Sequence, residues 1–147
     1  MNLKISQCPD KDTRKLLKEV SNFIIPKLII LRPRLLNNLK LHVKIDKNLI
    51  TTKQAYGICY YTDNEYLPRN FTIRLADTLR KRELIETYIH ELIHVKQYIL
   101  SELKNYSSGK IKWKNKLYTS NPDKITTPWE KEAYRMSESL YNKYYRY

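Results

Sequence analysis

Cysteine, histidine and long apolar runs are all scarce in this sequence. Cys8 and Cys59 are the only cysteines, which is too few for a disulfide framework, and neither belongs to a Cys-x-x-Cys metal pattern. The longest apolar run, residues 23–31, is broken by Pro26 and Lys27, and the first 14 residues contain no apolar core of a signal peptide. We therefore expect a cytoplasmic protein with reduced thiols and no membrane-spanning segment.

Acidic residues are few compared with basic ones. The 147 residues include 28 Lys and Arg against 15 Asp and Glu, which gives a net charge of +13 and a pI near 9.7. Such a charge favours anionic partners, namely nucleic acid, acidic protein segments or anionic lipid. The alternative is that the positive charge reflects composition alone and only keeps the protein soluble, because the chain is rich in Lys, Asn, Ile and Tyr, as proteins from AT-rich genomes often are. A hydrophobic content of 41% is enough for the core of one domain.

Two of the three histidines lie in the motif His-Glu-Leu-Ile-His at positions 90–94. On a helix, a spacing of four residues places His90 and His94 on the same face, about 5–6 Å apart at Cβ, where they can share one Zn²⁺. Glu91 projects about 100° further around the helix, beside the metal, where a general base for water belongs. The alternative is a histidine pair on a solvated face that arose by chance.

Residues 81–101 contain no Gly or Pro and favour a helix. The histidines lie on a different face from the apolar stripe, with Thr87 one turn before them and Gln97 one turn after. We predict a buried stripe at Ile85, Tyr88, Leu92, Val95 and Ile99.

Other segments predict an N-terminal helix and several strands. The helix runs from about residue 12 to 31, is capped by Asp12 or Thr13, and is kinked or split at Pro26. Strands are predicted at residues 41–45, 55–61 and 71–75, with a polar connection at 47–52. His42 then points outward as a surface residue, and Gly57 marks a possible bulge. A final helix runs from Thr127 to about residue 145.

Pro68 marks the strand at 71–75 as an edge strand or the approach to one. An edge strand beside the histidine helix could hold an extended peptide by β-augmentation, or it could simply be exposed. Residues 105–121 contain turn residues and a basic stretch at 110–114, which predicts a short strand or a loop over the cleft. Trp113 in this stretch lines a substrate pocket or anchors the packing.

A catalytic zinc site needs a third protein ligand and an open position. A metzincin would require Gly at position 97 and His at position 100, but the chain has Gln97 and Leu100. A carboxylate is therefore the better candidate, and Glu130 and Glu132 stand out near the start of the final helix. They point about 200° apart, so only one can face the histidines. Glu130 could instead complete a capping box with Thr127.

The segment His-Glu-Leu-Ile-His-Val-Lys-Gln-Tyr at 90–98, followed by Pro-Trp-Glu-Lys-Glu-Ala at 128–133, resembles SprT-like and phage-encoded zinc metallopeptidases of the gluzincin kind. The match covers roughly residues 71–141. The resemblance implies Glu130 as the third ligand, because it is the first glutamate of a Glu-x-x-Ala pattern. The chain departs from many gluzincins by having Tyr134 in place of an aspartate, and many SprT-like members use histidine as the third ligand.

Together these features predict one zincin-like α+β domain over residues 1–147. We expect a small, mostly antiparallel sheet with an edge strand over the cleft, an N-terminal helix, a central histidine helix and a C-terminal helix carrying the third ligand. One zinc ion would be held by His90, His94 and Glu130, with Glu91 as general base and Tyr134 as donor to the oxyanion.

The predicted function is a zinc metallopeptidase acting on protein or peptide substrates, in the host cytoplasm if the gene belongs to a phage. The alternative is a basic protein that binds nucleic acid or an assembly partner and contains a structural, non-catalytic zinc site. The two can combine in a peptidase that is brought to nucleic acid by its charge.

Overall fold

A computed structural model describes residues 1–119 and 127–147 and shows an α+β fold. The predicted connection at 47–52 contains a short helix, and part of the predicted segment 105–121 lies outside the described residues. In chain order the elements are β1 (Asn2–Ser6), α1 (Lys11–Leu28), a 3₁₀ helix (Pro33–Asn38), β2 (Lys40–Asp46), α2 (Leu49–Lys53), β3 (Gly57–Tyr61), β4 (Asn70–Ala76), α3 (Lys81–Ile99), β5 (Leu103–Asn105), β6 (Ile111–Trp113), β7 (Lys116–Tyr118) and α4 (Pro128–Arg146).

The main sheet has the strand order β1-β2-β4-β3 and is mixed. The pairs β1–β2 and β2–β4 are parallel, and only β3–β4 is antiparallel, so the prediction of a mostly antiparallel sheet was wrong for these strands. The reason is β1, a strand that the sequence analysis did not predict. It is joined to β2 by a helical crossover through α1, and parallel neighbours require such a crossover. A separate three-stranded sheet, β5-β6-β7, is antiparallel.

The edge strand beside the histidine helix is β3, not the predicted strand at 71–75. Strand β4 lies between β2 and β3, and Phe71, Ile73 and Leu75 are fully buried. Pro68 precedes the strand by two residues, so its missing amide does not interrupt the ladder. The strand therefore supplies the centre of the core, and β3 presents its outer side near α3.

Helix α1 begins at Lys11, where the side chain of Asp10 accepts a hydrogen bond of 2.7 Å from the Thr13 amide. Asp10 is thus the N-cap, rather than Asp12 or Thr13. One helix runs through Pro26 and ends at Leu28, so the predicted split does not occur. Pro26 lies in the final turn of the helix, two residues before its end.

Helix α3 carries the predicted buried stripe, since all five of its residues are at most 5% exposed. Polar side chains on the same helix, Glu91, His94 and Gln97, are also buried. Trp113 on β6 is buried with its ring centroid 6.3 Å from that of Trp129, so it anchors packing between the small sheet and α4. Within the described residues, no helix is both long enough and apolar enough to cross a membrane.

Candidate metal centre

Helix α3 holds the two motif histidines side by side, as their spacing predicted. Their Nε2 atoms lie 3.2 Å apart, and the ring centroids are separated by 4.9 Å. His94 is 8% exposed, and the side chain of His90 is 12% exposed. Both imidazoles are therefore largely removed from water and directed at a common point.

Glu130, in the first turn of α4, completes this cluster. Its Oε2 lies 3.1 Å from His90 Nε2, and its Oε1 lies 2.9 Å from His94 Nε2. Both oxygens thus face the histidines, so a capping box with Thr127 is not the main role of this side chain. His90, His94 and Glu130, called the His–His–Glu group below, could together hold a metal ion. The structure brings together the three residues that the sequence analysis proposed as ligands.

The distances within the His–His–Glu group fit a small divalent ion. Nitrogen and carboxylate ligands bind Zn²⁺ at about 2.0–2.2 Å, so tetrahedral ligands are separated from one another by roughly 3.3–3.5 Å. The three closest approaches within the group are 2.9, 3.1 and 3.2 Å. The first two distances involve different Glu130 oxygens, and with one ligand atom from each residue the three atoms lie within 4.8 Å of one another. A small rearrangement of the side chains would therefore bring them to the spacing of zinc ligands.

The tautomer of His94 provides an independent test of the fit. Gln97 Nε2 donates to the Trp129 carbonyl at 2.9 Å and to Glu132 Oε1 at 3.2 Å, which turns Gln97 Oε1 towards His94. This oxygen lies 2.8 Å from His94 Nδ1, so Nδ1 carries a hydrogen and donates it. In neutral His94 the Nε2 lone pair then faces a carboxylate oxygen at 2.9 Å, a contact that becomes favourable when either a metal ion or a proton on Nε2 lies between the two atoms.

The electrostatics of the metal-free site show the same need for positive charge. Burial opposes ionisation of Glu130, yet hydrogen bonds and charge from His90 and His94 lower its pKa to about 2. Burial would lower the pKa of His94, but the contact with Glu130 and the charge of Glu91 raise it. Without a metal, a proton on imidazole can supply the cation, and metal binding must displace it.

Glu91 lies beside the group and is 6% exposed, but it is not one of the three candidate metal ligands. Burial raises its pKa above the ordinary value, and the nearby His94 and His90 partly oppose that effect. A carboxyl group with a raised pKa in a water-excluding site suits proton transfer near neutral pH. The position agrees with the predicted general base, whose role remains a prediction.

Gly57 lets the edge strand approach this carboxylate closely. A Cβ atom at Gly57 would lie 2.7 Å from Thr87 Cγ2 and 3.1 Å from Glu91 Oε1. Gly57 was predicted as a possible bulge, but it is the first residue of β3 and pairs in regular register with Leu75. The glycine therefore serves close packing of β3 against α3, at the level of Glu91.

Tyr134 lies one helical turn after Glu130 and packs against His90. Its ring centroid is 4.5 Å from that of His90, and the residue is 59% exposed. Burial of part of the ring, with the charges of Glu130 and Glu91, raises the pKa of the phenol. The hydroxyl therefore stays protonated at neutral pH and remains a hydrogen-bond donor.

Glu132, the other candidate ligand, faces away from the histidines. Its Oε1 accepts from Lys96 Nζ at 3.0 Å, and its Oε2 lies 3.4 Å from Lys114 Nζ. Lys96 also pairs with Glu102 at 2.8 Å. These four residues form a second polar group, called the Lys–Glu cluster below. The sequence analysis did not predict this cluster. It predicted only that Glu130 and Glu132 point in nearly opposite directions on a helix, so that one of them must face away from the histidines.

His42, the third histidine, lies on β2 and takes part in a separate contact. Its Nε2 is 2.7 Å from Ser6 Oγ on β1, and it is not a member of the His–His–Glu group. Desolvation and the charges of Lys44 and Lys4 lower its pKa. His42 was predicted to be an outward-pointing surface residue, and it is half-buried on β2 beside Ser6.

The chain was compared with family models, curated proteins and solved structures. None of them matches it.

Proposed function

We propose that this protein is a zinc-dependent metallopeptidase with a zincin-like site of the gluzincin kind. The observation that carries the proposal is the convergence of His90, His94 and Glu130, with Glu91 buried beside them but outside the ligand set. Two imidazoles and one carboxylate leave a position open at a tetrahedral ion, as catalytic zinc sites do. A purely structural site usually closes with a fourth protein ligand and has no need of a buried base.

In this proposal His90, His94 and Glu130 hold zinc, and Glu91 transfers protons. Bound zinc supplies Lewis acidity, which polarises a peptide carbonyl and acidifies water. Glu91 accepts the proton of the attacking water and then gives it to the leaving amine. The raised pKa of Glu91 suits this transfer, because the carboxyl group can keep the proton taken from water until the amine leaves with it.

Tyr134 is the proposed donor to the oxyanion that forms during attack. Its ring lies against His90, and its hydroxyl stays protonated because its pKa is raised. Removing one hydrogen-bond donor to an oxyanion typically lowers kcat by about 10²–10³-fold. The exposed fraction of 59% leaves the side chain free to turn towards a bound substrate.

Strand β3 supports a peptide as the substrate. It is an edge strand of the main sheet, paired on one side with β4, so its other edge offers backbone donors and acceptors. Gly57 at its start lies directly against Thr87 and Glu91. An extended peptide that paired with β3 would therefore run past the proposed general base.

The proposal is tested by the substitution Glu91→Gln in zinc-loaded protein. We expect unchanged zinc content and a loss of roughly 10²–10⁴-fold in cleavage, because the amide cannot accept the proton. Cleavage is measured by mass spectrometry of new N-termini in a mixture of denatured proteins. Glu86→Gln, on the same helix with a side chain that is 42% exposed and paired with Arg82, is the matched control and should cleave normally.

Retained cleavage by Glu91→Gln would contradict the assignment of the base. An inactive wild type that binds zinc, and binds nucleic acid with a steep salt dependence, would favour the alternative of a basic binding protein. The net charge of +13 is the observation behind that alternative. Nucleic acid is also a possible second partner of an active peptidase.

A further inference from the structure

Gln97 is a fully buried residue on α3 whose three side-chain hydrogen bonds all involve residues of, or next to, the His–His–Glu group. Its exposed fraction is 0%. Its Oε1 accepts from His94 Nδ1 at 2.8 Å, and its Nε2 donates to the Trp129 carbonyl and to Glu132. A buried amide loses free energy when its polar atoms are unpaired, so these bonds select one orientation of the side chain.

We propose that Gln97 is the positioning residue of this site, which orients His94 for metal binding and ties that orientation to the helix that carries Glu130. The inference rests on the proposed metal site and assigns it a residue that touches neither metal nor substrate. An acceptor on Nδ1–H holds the imidazole with Nε2 towards the metal position and raises its basicity. Gln97 supplies that acceptor from three residues along the same helix.

Gln97 also contacts α4. The two acceptors of the Gln97 amide, the Trp129 carbonyl and Glu132 Oε1, lie on either side of Glu130 in the chain. Glu132 is itself held by Lys96 at 3.0 Å. One buried side chain therefore sets the angle of a ligand on α3 and the position of the helix turn that presents the ligand from α4. Loss of Gln97 loosens both at once.

The first experiment replaces Gln97 with an apolar residue of similar length, Gln97→Met. Co²⁺ and Zn²⁺ affinities are measured by competition with a chromophoric chelator, and the absorption spectrum of the Co²⁺ form reports the arrangement of the ligands. We expect affinities about 10–100-fold weaker, as for other partners of metal-binding histidines, together with an altered Co²⁺ spectrum. Neither readout depends on peptide cleavage.

Tyr88→Phe is the matched control for a lost buried hydrogen bond. Tyr88 lies on the same helix, and its hydroxyl bonds to Ser21 Oγ at 2.6 Å, while Ser21 keeps its bond to the Leu17 carbonyl. This variant should unfold at a lower temperature but bind both metals with wild-type affinity and the wild-type Co²⁺ spectrum. It separates a loss of general stability from a loss of ligand orientation.

A swap of the two side chains tests the link to α4. Gln97→Glu keeps an acceptor for His94 but directs a second carboxylate at Glu132 and at the Trp129 carbonyl, so metal affinity should fall about tenfold or more. Adding Glu132→Gln returns an amide donor to the pair. We expect the double variant to bind metal more tightly than Gln97→Glu alone, and Glu132→Gln measured by itself completes the cycle that gives the coupling between the two residues.

Wild-type affinity and spectrum in folded Gln97→Met would overturn the inference. If that variant does not fold, the swap decides, because a double variant that binds no better than Gln97→Glu alone contradicts the link. Failure of the wild type to take up either metal would overturn the proposed site itself, and this inference with it. If the wild type binds metal and its Gln97 variants bind equally well, only the inference about Gln97 is overturned and the proposed site stands.

Discussion

Two polar groups connect α3 with α4, and they are neutralised in different ways. The Lys–Glu cluster contains two ammonium and two carboxylate groups, and its central pair, Lys96 and Glu132, has side chains only 12% and 9% exposed. The His–His–Glu group with Glu91 contains two carboxylates and two imidazoles that can be neutral. One region contains its own cations, and the other does not.

This difference explains why two glutamates separated by one residue have different roles. Buried charge is tolerated when it is paired, and Glu132 is paired with protein ammonium groups. Glu130 faces imidazoles, which supply charge only when they are protonated. A divalent ion is the cation that would neutralise the Glu130 and Glu91 carboxylates without protonating the ligands. The comparison thus predicts that metal binding depends on one glutamate and folding on the other.

Glu130→Ala should have the largest effect on metal binding. We expect zinc affinity to fall by about 100-fold or more, since four-ligand sites bind zinc with about 10–16 kcal/mol, or roughly 3 kcal/mol for each ligand. Calorimetric titration of zinc into metal-free protein measures the change. Glu138→Ala, an exposed position on the same helix, is the control. Unchanged zinc binding in Glu130→Ala would remove this glutamate from the ligand set.

Glu132→Ala should mainly lower the free energy of unfolding, by about 2 kcal/mol. Breaking a buried pair costs about 3–5 kcal/mol, and here the cost is reduced because Lys96 keeps Glu102 as a partner. Denaturant titration of the metal-free protein measures it. Zinc affinity should fall less than in Glu130→Ala, through the contact with Gln97 alone. If Glu132→Ala loses zinc and Glu130→Ala does not, the two regions have been assigned the wrong way round.

The local parts of this architecture could be predicted from the sequence. Helix α3 and its buried stripe follow from residue spacing, and the same spacing brings His90 and His94 together. Residue spacing left Glu130 and Glu132 as alternatives, and the resemblance to gluzincins implied Glu130. The structure places that residue against both histidines. Helical periodicity is a local property, so a single sequence is enough to reveal it.

The non-local parts could not be predicted. Strand β1 has only five residues, and its pairing with β2 depends on the crossover through α1, which leaves no local signal. The position of β4 in the middle of the sheet is likewise set by neighbours distant in sequence. Gln97 was noted only as a residue one turn after the histidines, because its three bonds involve both α3 and α4.

Gly57→Ala gives the smallest expected effect and tests the Glu91 side of the comparison. The new methyl group would meet Thr87 Cγ2 at 2.7 Å and Glu91 Oε1 at 3.1 Å, so the carboxylate or the strand must shift. Since misplacement of a reacting group by about 1 Å can cost up to 10²-fold, we expect roughly a tenfold loss of cleavage with zinc affinity unchanged. Thr87→Ser in the same chain removes the closest atom and should restore part of the rate. A fall in zinc affinity as large as the fall in cleavage would instead mean that β3 supports the ligands, and that the general base and the metal group are not independent.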